Sequence, residues 1–308
     1  MSERRDIYLR AQTVKHTEKP PAKRKRSDVP VAKWPECAEI FDIETRTDVH
    51  QDQTFGFYRE CRLTGDRYVC EAEGIVYSGA ITKEEQNEIG TFVLSTFTDV
   101  QVKQFPPQVR LRIHRSFPEF MEKVFWPAVR KGWMIVGFNL PFDISRLSCG
   151  WRRSRKGGFW LILSEQLDYK SRTWKAHPYR PEINLEAKDA RTTFITRGIP
   201  RFRKDEWPNP GRFLDVGTLL FSLFDKHMSL DQWCAEFQRK GYAIERKLDH
   251  EPSGKVTQEE LGYCRQDVKI TQQLLNAAKQ EFDAHRLPNL LPDKAYSPAS
   301  IAKAYMRG

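Results

Sequence analysis

No stretch of about 18 or more apolar residues occurs in the chain, so no membrane-spanning helix is expected. The N-terminus is charged from Glu3 onward and lacks the apolar core of a secretory signal. Cysteine is scarce. Six residues (Cys37, Cys61, Cys70, Cys149, Cys234, Cys264) stand at irregular spacing in 308. That excludes a disulfide scaffold. With no Cys-x-x-Cys and no paired histidines near Cys61 and Cys70, a structural zinc is not expected either. Reduced thiols in a cytosolic or nuclear protein are the expectation. Repeats, low-complexity blocks, helix-turn-helix spacing and zinc-finger spacing are also missing, which argues against a transcription-type basic protein.

What is present is a globular composition, 39% hydrophobic and 12% aromatic, in a chain long enough to bury a core. The net charge of +10 is unevenly spread. Residues 1–33 carry ten Lys or Arg against four acids, and residues 151–212 carry fifteen against seven. These segments hold +6 and +8, which leaves −4 on the rest of the chain. Two basic segments flanking an acidic body suit a polyanion, nucleic acid above all.

Residues 1–33 have little apolar periodicity and read as a basic disordered tail. Within it, Lys23-Arg24-Lys25-Arg26 fits a nuclear import signal, a phosphate-binding tail or plain solvated charge. Order should begin near Ala38. A strand is predicted over 38–43, and two more, over 54–63 and 68–77, meet at a Gly65-Asp66 turn. Helical spacing follows over 116–131, then a short buried strand over 133–138 and a helix over 141–147. Residues 151–212 mix cations with Trp151, Trp160, Trp174 and Trp207 and with strand-like pieces at 159–163 and 192–196, a basic β-rich insertion. An apolar strand or strand–helix junction returns over 213–221, and helices are predicted over 229–238 and 257–285. Thr257 and Glu260 have the spacing of a capping box. Strands first, then strand alternating with helix, point to an α/β fold with a mixed sheet.

Three short patterns carry carboxylates. Asp42-Ile43-Glu44 closes the first strand, and strand alternation puts both acids on one face while Ile43 points to the core. Carboxylates so placed repel unless a cation lies between them, and hard divalent cations want such oxygens. In Asn139-Leu-Pro-Phe142-Asp143 a buried strand runs into a helix start, with Asn139 as the expected N-cap and Asp143 in the first turn. Strand ends of this kind are where α/β proteins bind ligands. In Tyr263-Cys-Arg-Gln-Asp267 a phenol and a carboxylate share a helix face at i and i+4. Each pattern alone also suits an exposed strand end, a capped helix or an amphipathic helix.

In this order, the three resemble the sequence motifs of the DEDD exonuclease superfamily, in the subtype with tyrosine in the third motif. Gly262 stands where the other subtype has histidine. Phe-Asp-Ile-Glu-Thr at 41–45 and Gly-Phe-Asn-Leu-Pro-Phe-Asp at 137–143 are most similar to the 3′→5′ proofreading exonuclease domain of family B DNA polymerases. The resemblance covers about residues 36–285. It implies a ribonuclease H-like α/β fold, a mixed five-stranded sheet flanked by helices, in an exonuclease domain over 34–290. It also implies two divalent cations, Mg²⁺ or Mn²⁺. Asp42 would bridge the two, Glu44 and Asp267 would hold the one that activates water, and Asp143 would hold the other. Tyr263 would orient the attacking water, and Asn139 and Phe142 would touch the terminal nucleotide, though Phe142 also suits plain core. Residues 296–305 look like the helix that follows the exonuclease domain in polymerase-like chains, the start of a C-terminal segment over 291–308. Two contexts stay open, a free-standing nuclease and a piece of a longer polymerase-like protein.

In the insertion, Arg152, Arg153, Arg155 and Lys156 can neutralise phosphates, and tryptophans can stack on unpaired bases. The substrate expected is the 3′ end of a strand, single-stranded DNA first. An RNA-directed enzyme of the same superfamily and a non-catalytic nucleic-acid-binding module of the same fold are the alternatives. Retention of all four acids and the tyrosine argues against the module.

Overall fold

The computed structural model describes residues 34–103, 110–155, 157–187, 193–197, 212–287 and 289–306. The basic tail, Lys156, Trp207 and much of the segment before 212 lie outside the described residues. All described residues belong to one compact unit, Val31–Gly308.

Three strands open the fold: β1 (Cys37–Thr45), β2 (Gln53–Thr64) and β3 (Arg67–Tyr77). They pair antiparallel in succession, with Gly65 at φ +63° in the β2–β3 turn, a conformation that glycine adopts without steric cost. Helix α1 (Lys83–Lys103) and strand β4 (Arg110–His114) follow, and β4 lies parallel to β3 at the sheet edge. The next helical run is α2 (Phe117–Phe120), one π turn (Met121–Phe125) and α3 (Trp126–Arg130). Strand β5 (Met134–Gly137) leads into α4 (Leu140–Arg146).

The insertion contributes β6 (Gly150–Arg153), β7 (Phe159–Ile162), β8 (Glu165–Asp168), β9 (Thr173–Ala176), β10 (Ile183–Ala187) and β11 (Thr193–Arg197). The chain returns through β12 (Arg212–Asp215) and α5 (Val216–Phe224), then α6 (Leu230–Arg239), α7 (Gln258–Ala284) and α8 (Pro298–Tyr305). The helix expected near 296–305 is thus present. Tyr296, just before it, stacks on Phe194 at 4.3 Å between ring centroids.

The main sheet is mixed and six-stranded, in the order β12-β5-β1-β2-β3-β4. Strands β1, β5 and β12 run parallel at its centre and one edge. The fold is therefore α/β, with six strands where five were expected. The extra strand is β4, whose sequence Arg-Leu-Arg-Ile-His is short and charged. Charge of this kind blunts an edge against further pairing and also hides the strand from a search for apolar alternation.

Two apolar cores lie against the two faces of this sheet. Ala38 and Ile40 of β1 join the core formed with α5, α6 and α7. Phe41 and Ile43 alternate to the other face and join Phe120, Phe125 and Ile144 from the helices α2 to α4. In the insertion, β11-β10-β7-β6 form a second, antiparallel sheet, and β8–β9 form a separate hairpin. Leu161, Ile183 and Ile195 of that sheet are buried in the second core, which anchors the insertion to the body.

Candidate functional site

Period-two alternation along β1 continues from Ile40, in the core on the α7 side, to Asp42 and Glu44. Both carboxylates are half-buried and emerge on the face that α7 covers. Gly56 on β2 allows the backbones to approach here, because a Cβ at that position would stand 2.6 Å from the Asp42 carbonyl oxygen. Parallel pairing of β1 with β5 ends at Ile40 and Val136. Beyond it, the Ile43 amide donates to Asp143 Oδ1 at 3.1 Å, so the first-turn acid of α4 is fastened to β1 between Asp42 and Glu44. Asp143 is 2% exposed.

Helix α7 starts where Thr257 accepts from the Glu260 amide. The reciprocal half of the expected capping box is absent, because the buried Glu260 carboxylate instead accepts from the amide and hydroxyl of Ser253 at 2.5 and 2.7 Å. It also lies 3.2 Å from His250 Nε2. Tyr263 and Asp267, one turn apart, are both buried. The Lys247 ammonium donates to Asp267 Oδ2 at 2.8 Å and stands 4.6 Å from the centroid of the Tyr263 ring. Asp267 Oδ1 is buried without a hydrogen bond. The Cys264 thiol approaches Asp42 Oδ2 at 3.8 Å, and one ligand atom from each of Asp42, Glu44 and Cys264 falls within 4.8 Å of the others.

Electrostatics tie the four acids into one cluster. Desolvation first, then the Asp267 charge, raises Asp42 to about 7. Glu44 is raised to about 8 by desolvation and then by Asp42. Burial raises Asp143 well above the carboxylate range, with Asp42 the next cause. Asp267 is raised by burial against the opposing pull of Lys247. Burial also pushes the Cys264 thiol up, which keeps its proton and suits it to donate to Asp42. Tyr263 is raised by burial, so its phenol holds its proton at neutral pH and serves as a donor.

Among the described residues, the ligand atoms that group within 4.8 Å are those of Asp42, Glu44 and Cys264, while Asp143 and Asp267 flank that group, the latter with an orphaned buried oxygen. Lys247 offsets one of the four charges. Neither Lys247 nor His250 was singled out from the sequence. They lie in 240–257, a stretch outside helix and strand, where no periodicity marks them.

The helix start at Asn139 differs from its expectation. Asn139 is exposed at φ +69° and makes no side-chain cap. The donors go to Asp215, whose Oδ1 accepts from the Asn139 and Leu140 amides at 2.7 and 3.1 Å. Asp215 Oδ2 caps α5 as well, through the Thr218 amide and hydroxyl at 2.8 and 2.6 Å. Phe142 is half-buried, belongs to neither core and carries the Arg146 guanidinium 5.1 Å from its ring centroid.

The basic cluster at 152–156 is divided. Arg152 is held by Glu182 and lies 5.1 Å from the Trp160 ring centroid. Arg153 and Arg155 are exposed, and Lys156 is outside the described residues.

No protein-family model and no curated protein matches the chain. Among the described residues, no helix is long and apolar enough to cross a membrane.

Proposed function

We propose that the chain is a metal-dependent nuclease of the DEDD type, with a ribonuclease H-like fold, that removes nucleotides from the 3′ end of a nucleic-acid strand, single-stranded DNA first. The observation that carries this reading is that Asp42 and Glu44 share one face of β1, that Asp143 of α4 is fastened to the Ile43 amide between them, and that α7, which packs on that strand, carries Tyr263 and Asp267. In the fold, β3-β2-β1-β5-β12 would be the five strands of the ribonuclease H-like sheet, with β4 an addition at its edge.

The four acids would hold two Mg²⁺ or Mn²⁺ ions, which when bound would activate water and offset charge on the phosphate and the leaving oxygen. The chain's own residues prepare for that. Asp143 is oriented by the Ile43 amide, and Asp267 by Lys247. Tyr263 keeps its proton and can donate to a water without removing its proton, which fits an orienting role rather than that of a base. Asn139 and Phe142, at the exposed start of α4, are available to a terminal nucleotide.

The test is a time course on 3′- and 5′-labelled strands of DNA and RNA, with Mg²⁺, with Mn²⁺ and with chelator. Progressive shortening from the 3′ end that chelator stops is the expected result. A chain that leaves all strands intact, or that cuts them equally well in chelator, overturns the proposal. Intact strands together with tight strand binding would favour the non-catalytic module.

A further inference from the structure

We infer that the outer end of the β6–β7 hairpin is a platform for an unpaired nucleic-acid strand, with bases stacked on Trp151 and Phe159 and phosphates met by Arg153 and Arg155. This deepens the proposed function and rests on nucleic acid being the substrate class, though not on cleavage.

The register of the hairpin sets the geometry. Trp151 pairs with Leu161, Arg152 with Trp160, and Arg153 with Phe159. Cross-strand partners share a face, and neighbours along a strand alternate. Trp151, Arg153, Phe159 and Leu161 therefore lie on one face, and Arg152 and Trp160 on the other. On the first face Leu161 is buried in the body's core, while Trp151 and Phe159 are 65% and 51% exposed. Their rings meet edge to face, 5.4 Å between centroids, so the pair is held in place with ring surface left open. Among the described residues, five of the six exposed aromatic side chains fall between 151 and 179: Trp151, Phe159, Tyr169, Trp174 and Tyr179. Of these, Trp151 and Phe159 touch each other and form one patch of exposed ring surface.

Charge selects the occupant. Residues 150–162 contain no Asp or Glu and four Lys or Arg. Arg152 is bound by Glu182 on the opposite face, Lys175 by Asp168 and Arg180 by Glu122. Arg153 and Arg155 are exposed and make no ion pair among the described residues. An exposed guanidinium at Arg153 on the face of the open rings, with exposed Arg155 two residues on, suits a polyanion that also offers flat, unpaired bases, which is a single strand. A duplex keeps its bases stacked inside and would leave the rings unused. Strand β6 begins seven residues after Asp143, so the platform adjoins by sequence the helix that brings one acid to the cluster.

The test measures binding of labelled oligo(dT) and oligo(U) to the full chain in chelator, by anisotropy and by quenching of tryptophan fluorescence, over a range of salt. Trp151→Ala with Phe159→Ala should weaken binding roughly 5- to 100-fold, the scale of one or two stacked bases. Trp151→Phe with Phe159→Tyr should restore most of it. Arg153→Ala with Arg155→Ala keeps both rings and should lower the slope of log affinity against log salt by about 0.7 per lost phosphate contact. Arg62→Ala, at an exposed ion pair on β2, controls for net charge and should leave the slope near wild type. Unchanged affinity in the ring variant, an unchanged slope in the arginine variant, or no strand binding by the intact chain overturns the platform. Cleavage assays on the same proteins separate the two readings. Ring-dependent binding without cleavage keeps the platform and removes the nuclease. Cleavage with ring-independent binding does the reverse.

Discussion

The carboxylate cluster and the β6–β7 hairpin are opposites in every physical respect. The cluster gathers acids beside the core, two of them buried, and desolvation, then like charge, raises the proton affinity of Asp42 and Glu44. The hairpin places cations and aromatic rings in water, held by the pairing of β7 with β10 and by Leu161 in the second core. A polyanion would be repelled by the first until cations fill it and attracted by the second at once. On the proposed function, the contrast teaches that binding and chemistry need different dielectrics. Low dielectric strengthens fixed charges at a reacting bond, whereas capture of a strand needs accessible surface.

Four measurements break or sharpen that comparison. The largest effect is expected from Asp42→Ala, which should abolish metal-dependent cleavage while strand binding survives in chelator. Thermal stability without metal should hold or rise, because the change removes a desolvated like charge. Wild-type cleavage by this variant would remove Asp42 from the chemistry.

Tyr263→Phe comes next. If the phenol only orients water, turnover should fall roughly tenfold to a thousandfold, the scale for one such group. Stabilisation by Mg²⁺ or Mn²⁺ in thermal unfolding should remain, since the four acids are intact. Loss of that stabilisation would give the tyrosine a different role.

Asp215→Ala probes the scaffold below the cluster. It removes the acceptor for both the α4 and the α5 N-termini, and two caps at about 1–2 kcal/mol each predict about 2–4 kcal/mol of lost stability in denaturant unfolding. A cost near zero would mean that water replaces the carboxylate and that α4 needs no such fastening.

The last measurement concerns pH. Asp42 and Glu44 are raised from 3.8 and 4.5 to about 7 and about 8. Between the two sets of values the folded protein retains protons that the unfolded chain has released. The stability linked to these groups is thus fully present below about pH 4 and is lost as pH rises through about 7 to 8. The metal-free melting temperature should fall across this window, more shallowly for Asp42→Asn, and saturating Mg²⁺ should flatten the decline. A metal-free protein that grows more stable over the same range would contradict the cluster's electrostatics.

Much of this architecture is legible in the sequence. Alternation in Asp42-Ile43-Glu44, the i and i+4 spacing of Tyr263 and Asp267 and the Gly65 turn are local patterns, and the backbone geometry that expresses them is local too. The β-rich character of the insertion came from the same kind of signal. Region 78–115 did not, because among the described side chains of α1 only Ile89 and Phe92 are buried apolar residues, and β4 alternates charge with apolar residues at an edge.

The sequence by itself determined which side chains share a strand face or a helix face and how much charge each segment carries, since those follow from residue type and a fixed backbone period. Only the tertiary structure decided that Lys247 meets Asp267, that Asp215 rather than Asn139 caps α4, that Glu260 turns to Ser253 and His250, and that Arg152 is tied to Glu182 while Arg153 has no ion-pair partner among the described residues. Each of these pairings closes a loop or crosses between elements. Which partner a polar group finds there depends on how the elements pack and on which donors burial leaves unsatisfied, and no local period encodes that.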